Sequence, residues 1–144
     1  MKVILQRVSK AAISINSETI CSIGKGYVVL LGVGLNDTKD NADKMIEKIK
    51  KLRIFEDAGG KINLSIGEVD GEILVVSQFT LYADCKKNRP SFSNAGTPET
   101  AKQLYNYFVE KSYSQFAKVG SGVFGAKMKI MLENDGPFTV VLEN

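Results

Sequence analysis

Ser77-Gln78-Phe79-Thr80 is the stretch whose side chains are best suited to chemistry. Two hydroxyls and an amide follow the apolar run Leu74-Val75-Val76, and the whole segment through Leu81 reads as one buried strand. Core strands carry such groups when they are hydrogen-bonded or used. All three are neutral, so a ligand here is recognised by hydrogen bonds rather than by charge pairing. The competing assignment is that they satisfy neighbouring backbone at a strand end.

Composition narrows the chemistry. The chain contains no His, which removes the commonest general base and the Ser-His and Cys-His nucleophile pairs. Cys21 and Cys85 lack Cys-x-x-Cys spacing, and without His a zinc site has almost no ligands to draw on; free thiols in a reducing cytoplasm are expected. A nucleophilic Thr80 would need an adjacent base, and an internal Thr has no N-terminal amine to serve. Any hydrolysis must therefore be driven differently.

Three further stretches carry recognition chemistry. Tyr82 to Phe92 is a loop dense in cations, and Lys86, Lys87 and Arg89 beside Tyr82 and Phe92 suit phosphates and a stacked base. Gly120-Ser121-Gly122-Val123-Phe124-Gly125 matches G-x-G-x-x-G in letters, but it follows a helix and precedes the strand-like Lys127 to Leu132. Too little chain remains for a strand-helix-strand unit, so no dinucleotide cofactor is expected. The glycines still permit close approach of a ligand. Finally, Glu133 to Pro137 reads as a polar turn between two strands, and its Gly136-Pro137 bond is open to either isomer. Arg7, within an otherwise buried strand, must either reach the surface or be held by carbonyls or a carboxylate.

The elements that position these groups follow from periodicity. Val3 to Ile15 and Ile20 to Ile23 flank the turn residues Asn16-Ser17-Glu18, a hairpin. Tyr27 to Val33 is continuously apolar, as in a central strand covered on both faces. After Asp37-Thr38, the residues Ala42, Met45, Ile46, Ile49 and Leu52 recur at helical spacing, with a lysine-rich opposite face that is most simply solvated. Arg53-Ile54-Phe55 is a short strand, Asp57 to Lys61 a turn, and Asp70-Gly71 another. Thr97-Pro98 starts a second helix, buried through Ala101, Leu104, Tyr105, Phe108 and Val109. Helices are thus expected at about residues 39–52 and 98–113.

With 144 residues, 44% hydrophobic and 24% charged, the chain is expected to form one soluble domain spanning 1–144. Its longest apolar run, Tyr27 to Leu31, is far short of the roughly 20 residues a membrane helix needs. Met1-Lys2 leads directly into Val3-Ile4-Leu5 without leader-like patterning, so a cytoplasmic location is expected. A net charge of +3 is compatible with a polyanionic partner and does not require one.

Taken in order, Leu5-Gln6-Arg7-Val8, the Gly26 to Gly34 strand, Ser77-Gln78-Phe79-Thr80, Asn88-Arg89-Pro90-Ser91-Phe92, Gly122-Val123-Phe124-Gly125-Ala126-x-Met128 and Asn134-Asp135-Gly136-Pro137-Phe138-Thr139 resemble the D-aminoacyl-tRNA deacylases over the whole chain. Lys87 departs from the pattern, standing where that family carries a small glycine.

The resemblance implies a mixed α/β fold: a curved, largely antiparallel, barrel-like sheet flanked by the two helices. It implies an editing hydrolase that cleaves the ester between a D-amino acid, or glycine, and the 3′-terminal adenosine of tRNA, without metal or cofactor. Catalysis would fall to Ser77, Gln78, Phe79 and Thr80. Family members are homodimers in which a Gly-cis-Pro turn, here Gly136-Pro137, enters the partner's active site and rejects the L-form. Arg7 would support that turn. Phe124, Ala126 and Met128 would lie near the adenosine, with Lys86, Lys87 and Arg89 toward the rest of the tRNA. Two other classes remain open on the residues alone: a non-catalytic RNA-binding domain using the Lys86 to Arg89 loop, and a dimerisation module.

Overall fold

The computed structural model describes all 144 residues, Met1–Asn144. Strand β1 (Lys2–Ile15) turns through Asn16 and Ser17, both at positive φ, into β2 (Glu18–Ile23), the expected hairpin. β3 (Gly26–Gly32) then runs antiparallel to the first half of β1, from Gly26 opposite Val8 to Gly32 opposite Lys2. One edge of β1 therefore carries β3 and β2 in succession, while β8 (Lys129–Glu143) covers the other edge along nearly its whole length.

Helix α1 (Lys39–Lys51) starts at Thr38, whose N–H donates to Asn41 Oδ1 at 2.9 Å, and it buries Ala42, Met45, Ile46 and Ile49. β4 (Arg53–Glu56) and β5 (Ile62–Ser65) form a small separate hairpin. After this long crossover β6 (Glu72–Ser77) pairs parallel to β3, as a parallel partner requires. Helix α2 (Pro98–Ser112) begins as expected, with Thr97 Oγ1 accepting the Thr100 N–H and Pro98 in the first turn. A strand absent from the sequence expectations, β7 (Val119–Ser121), adds parallel to β6.

The main sheet runs β2-β1-β3-β6-β7 with β8 on β1. Cys21 Sγ on β2 donates to the Ser121 carbonyl on β7 at 3.5 Å, so the two ends meet and the sheet is nearly closed into a barrel. This is the expected mixed α/β architecture, with two helices on a barrel-like sheet. Its central strands are buried on both faces. Tyr27, Val29, Leu31, Ile73 and Val75 pack with Phe55, Phe108 and the helices. Val28, Leu74 and Val76 face Val8, Ala11, Ile13 and Ile23 in a smaller cluster inside the curl. Each such side chain contributes about 1.5–3 kcal/mol by leaving water.

Two expectations are corrected. The strand through Ser77 does not continue to Leu81: the Gln78 N–H makes a last bond to the Leu31 carbonyl at 2.7 Å, β3 ends at Gly32, and with no partner left the chain winds into a 3₁₀ turn over Phe79–Tyr82. Nor is Glu133 to Pro137 a turn between strands. β8 is continuous, and between Thr139 opposite Gln6 and Asn134 opposite Val8 it bulges, leaving 135–138 facing Arg7 alone.

Close approach is most demanding where β3 and β6 begin. A Cβ on Gly26 would lie 1.8 Å from the Glu72 carbonyl oxygen. Gly26→Ala is expected to cost at least about 3 kcal/mol, read as a lowered urea midpoint; a loss under about 1 kcal/mol would show that the strands can separate there at little cost.

Candidate active site

β3, β6 and β7 are mutually parallel, and a cavity of about 570 Å³ opens beyond their carboxyl ends, where such sheets leave room for ligands. Val76, Ser77, Gln78 and Phe79 enter it from β6 and the following turn. Phe92, Ala95 and Gly96 form one wall with Pro98 and Ala101 of α2. Phe124, Gly125, Ala126, Met128 and Ile130 form the other. None of these side chains titrates, so the cavity is uncharged throughout.

Ser77, Gln78 and Phe79 are thereby brought together with Phe124, Ala126 and Met128. Thr80 stands just outside the lining, and its hydroxyl accepts the Gln78 amide N–H at 2.5 Å. An amide is not a base, so this partner cannot take a proton from the hydroxyl. The N–H groups of Phe79 and Thr80 open the 3₁₀ turn, too early in it to find an acceptor within. Phe79 is 56% exposed and meets Phe92 edge to face at 4.8 Å between centroids.

The cationic loop lies apart. Asp84 and Ser91 pair through both backbone N–H groups, at 2.8 and 3.0 Å, and the exposed Lys86, Lys87 and Arg89 project between them without lining the cavity. Tyr82 does not join them as a stacking ring. It packs against Gly34 with the Lys2 ammonium 5.0 Å from its ring centroid. Burial, reinforced by the nearby Asp37 and Glu143 charges, pushes its phenol up to about 12.

Arg7 is held, not solvated. Only 4% exposed, it donates from Nε to the Asp135 carbonyl at 2.8 Å and from Nη1 to the Ile54 carbonyl at 2.7 Å. Glu56 and Asp135 carboxylates stand at 3.6 and 3.9 Å, and the Phe138 ring lies 5.1 Å from the guanidinium. Asn134 braces the bulge from within, its Oδ1 accepting the Phe138 N–H at 2.6 Å and its Nδ2 donating to Thr139 Oγ1 at 3.0 Å. The Gly136-Pro137 bond is cis, and Gly136 has a φ of +135° that a side chain rarely adopts. Neither residue lines this chain's own cavity.

Sequence reasoning assigned Tyr105 only to the core. Its hydroxyl in fact lies 2.9 Å from both the Val75 and the Gly122 carbonyls, tying α2 to β6 and to the glycine-rich loop, and its ring packs 5.9 Å from Phe124. Burial pushes this phenol strongly up, keeping it a neutral donor. The available signal was a Tyr within a buried helical stripe, whose hydroxyl must find a partner. No three Cys, Asp or Glu side chains gather into a metal-binding group anywhere in the fold.

Fold and cavity together define a mixed α/β protein with an uncharged cleft at the ends of its parallel strands. The family model described as D-Tyr-tRNA(Tyr) deacylase matches residues 4–143. A D-aminoacyl-tRNA deacylase of Thermosipho melanesiensis is 51% identical, with 100% of this chain and 97% of the relative covered. Among solved structures, a c-Myc DNA Unwinding Element Binding Protein superposes with a TM-score of 0.95 at 41% identity, over 100% of this chain and 99% of the other. A probable eukaryotic D-amino acid tRNA deacylase shares the fold, with a TM-score of 0.86 at 19% identity over 98% and 97% of the two chains. The chain belongs to the D-aminoacyl-tRNA deacylase family.

The diverging bonds from Arg7 to β4 and to the bulge suit a planar fork, and a single ammonium cannot reproduce them. Arg7→Lys is expected to destabilise the protein by about 2 kcal/mol or more, by leaving a buried carbonyl unpaired. Thermal denaturation of the variant checks this, and an unchanged midpoint would remove Arg7 from the role of clamp.

Proposed function

We propose that this protein is an editing hydrolase, one domain over 1–144, that cleaves D-aminoacyl-tRNA, and glycyl-tRNA, into free amino acid and tRNA in the cytoplasm. The observation that carries the proposal is the convergence of Ser77, Gln78 and Phe79 with Phe124, Ala126 and Met128 around one cavity without a titratable side chain, in a member of this family.

An aminoacyl ester is already activated, so orientation and hydrogen bonding to the developing oxyanion suffice. Donors for that charge are the Phe79 and Thr80 N–H groups, Ser77 and the Gln78 amide. Water attacks the ester carbon; its oxygen stays with the amino acid as the carboxyl group, and its proton passes to the departing ribose 3′-oxygen. The 2′-hydroxyl of the terminal adenosine assists that transfer. Thr80, paired only with an amide, positions Gln78 rather than attacking. The terminal adenosine occupies the Phe124, Ala126 and Met128 wall, and Lys86, Lys87 and Arg89 meet phosphates further along the RNA.

Chirality is read by a second copy of the chain. Gly136 and Pro137 lie outside this chain's own cavity, on a strand with one free edge that exposes Met131 at 75% and Val141 at 61%. Exposed apolar side chains along an edge strand favour self-association. In the homodimer the carbonyls of Gly136 and Pro137 take the substrate ammonium, so that an L side chain runs into backbone and a D side chain points to solvent. Glycine has nothing to clash and is accepted. The bulge is clamped by Arg7 and Asn134, which gives it the fixed shape that a steric test needs.

Release of amino acid from matched D- and L-tyrosyl-tRNA by the purified protein tests the proposal. Only the D-ester is expected to be lost, and a 2′-deoxy terminal adenosine is expected to be cleaved far more slowly. Salt-sensitive tRNA binding without turnover of either ester would favour a simple RNA-binding role.

Because the cavity holds no ionisable side chain, its pH behaviour is also constrained. Between about pH 5 and 7, where histidines and raised carboxylates titrate, kcat is expected to trace no bell. A bell-shaped profile over that range would require an enzyme acid and base that the cavity does not supply.

A further inference from the structure

A second open groove of about 460 Å³ adjoins the cavity, and the two share Phe124 as a common wall. Helix α2 borders both: Pro98 and Ala101 face the cavity, while Lys102, Asn106 and Glu110 face the groove. Here lie two exposed large apolar side chains, Tyr113 at 61% and Val123 at 52%. Lys102 and Glu110 take no part in the ion pairs of the protein, and Asn106 between them is exposed to solvent. A solvent-facing ring at one end of a groove, an unpaired ammonium about three helical turns away at the other and an amide and a carboxylate between them suit a nucleotide of a single strand: stacking for the base, a cation for the phosphate, and polar groups for the base edge.

We propose that this groove is a second nucleotide subsite, which receives the cytidine immediately preceding the terminal adenosine of the tRNA acceptor end. The inference rests on the deacylase reading above, since it takes the adenosine to lie against Phe124. From that wall the RNA has one covalent continuation, through the 5′-phosphate, and the groove that shares Phe124 with the cavity adjoins it directly with an aromatic face and a cation. Cytosine presents an exocyclic amino donor beside ring acceptors. Glu110 and Asn106 supply the complement, a carboxylate to accept and an amide to donate. Tyr113 stacks on the base and Lys102 meets the phosphate.

The test compares two substrates of the same ester: D-tyrosyl-adenosine, which fills only the cavity, and D-tyrosyl-tRNA, which also reaches the groove. Tyr113→Ala is expected to raise KM for D-tyrosyl-tRNA about tenfold, the effect of losing one base stack, with kcat nearly unchanged. Lys102→Ala is expected to raise it several-fold and to flatten its salt dependence. Tyr113→Phe keeps the ring and is expected to behave as the unaltered protein. With D-tyrosyl-adenosine all three variants are expected to match the unaltered protein. Equal losses on both substrates would overturn the subsite and assign these residues to the stability of the cavity. No loss on either, with the unaltered protein active on both, would overturn it as well. If the unaltered protein cleaves neither ester, the deacylase reading falls first and takes the subsite with it.

Discussion

The organisation of this protein depends on where one guanidinium finds its acceptors. Burial of the Arg7 guanidinium, a fork of donors with no acceptor of its own, requires carbonyls delivered to fixed points around β1. Ile54 delivers one from the β4–β5 hairpin and Asp135 another from the bulge in β8. Neither segment belongs to the ladder that pairs β1 with β3. The charge thus adds a tie from the central strand to the β4–β5 hairpin and to the one stretch of β8 that leaves its ladder with β1. Its position also marks where β1 changes its allegiance: Val3 and Leu5 feed the larger core beneath the helices, while Val8, Ala11 and Ile13 feed the smaller one inside the curl. A side chain that joined neither core had to stand at that crossing, and Arg7 does.

The bulge that Arg7 holds is braced locally too. Asn134 closes it with two side-chain bonds, one to the Phe138 backbone and one to Thr139. Gly136 leaves only 3.0 Å between a hypothetical Cβ and Arg7 Nη2, so the clamp and the bulge are fitted to each other. The cavity is built on the opposite logic. It offers hydroxyl, amide and backbone N–H groups and no charge, while Tyr105 fixes the distance between its β6 side and its Phe124 side by facing one carbonyl of each. Charge holds the framework, and neutral groups are left to the ligand.

Much of this was legible in the residues. Both helices announced themselves through caps and stripes, since Thr38 and Thr97 have few better uses for their side chains and the buried positions recur at the helical period. The continuous apolar runs in β3 and β6 were legible as central strands because both faces are covered. Their parallel pairing was not, because burial on two faces sets composition and leaves direction to the crossover. The end of β6 at Ser77 was hidden as well: it is fixed by the end of its neighbour β3, a property of the pairing partner and not of Phe79 or Thr80. β8 was misread as two strands for a related reason. Asn134, Gly136 and Pro137 are turn formers, and only Arg7 across the ladder shows that here they make a bulge within a strand. Tyr82 shows the limit on the ligand side, since a ring among cations in the sequence turned out to serve Gly34 and Lys2.

That split bears on how an editing site could tell two hands of one molecule apart without reading its side chain. A pocket that enclosed the side chain would be held to the modest discrimination that a methylene or a hydroxyl allows, and it would need a different shape for each amino acid. A wall of backbone placed against the α-carbon makes hand the only question asked, provided the wall does not yield. Backbone yields least where its own hydrogen bonds are complete and its neighbours are buried. In this fold the segment braced from outside its own ladder, and not already spent on the chain's own cavity, is the bulge between Asn134 and Thr139, held by the buried Arg7 and by Asn134. The selectivity of the site would then come from the stiffness of a framework anchored at Arg7, and its breadth from the absence of any pocket for the side chain.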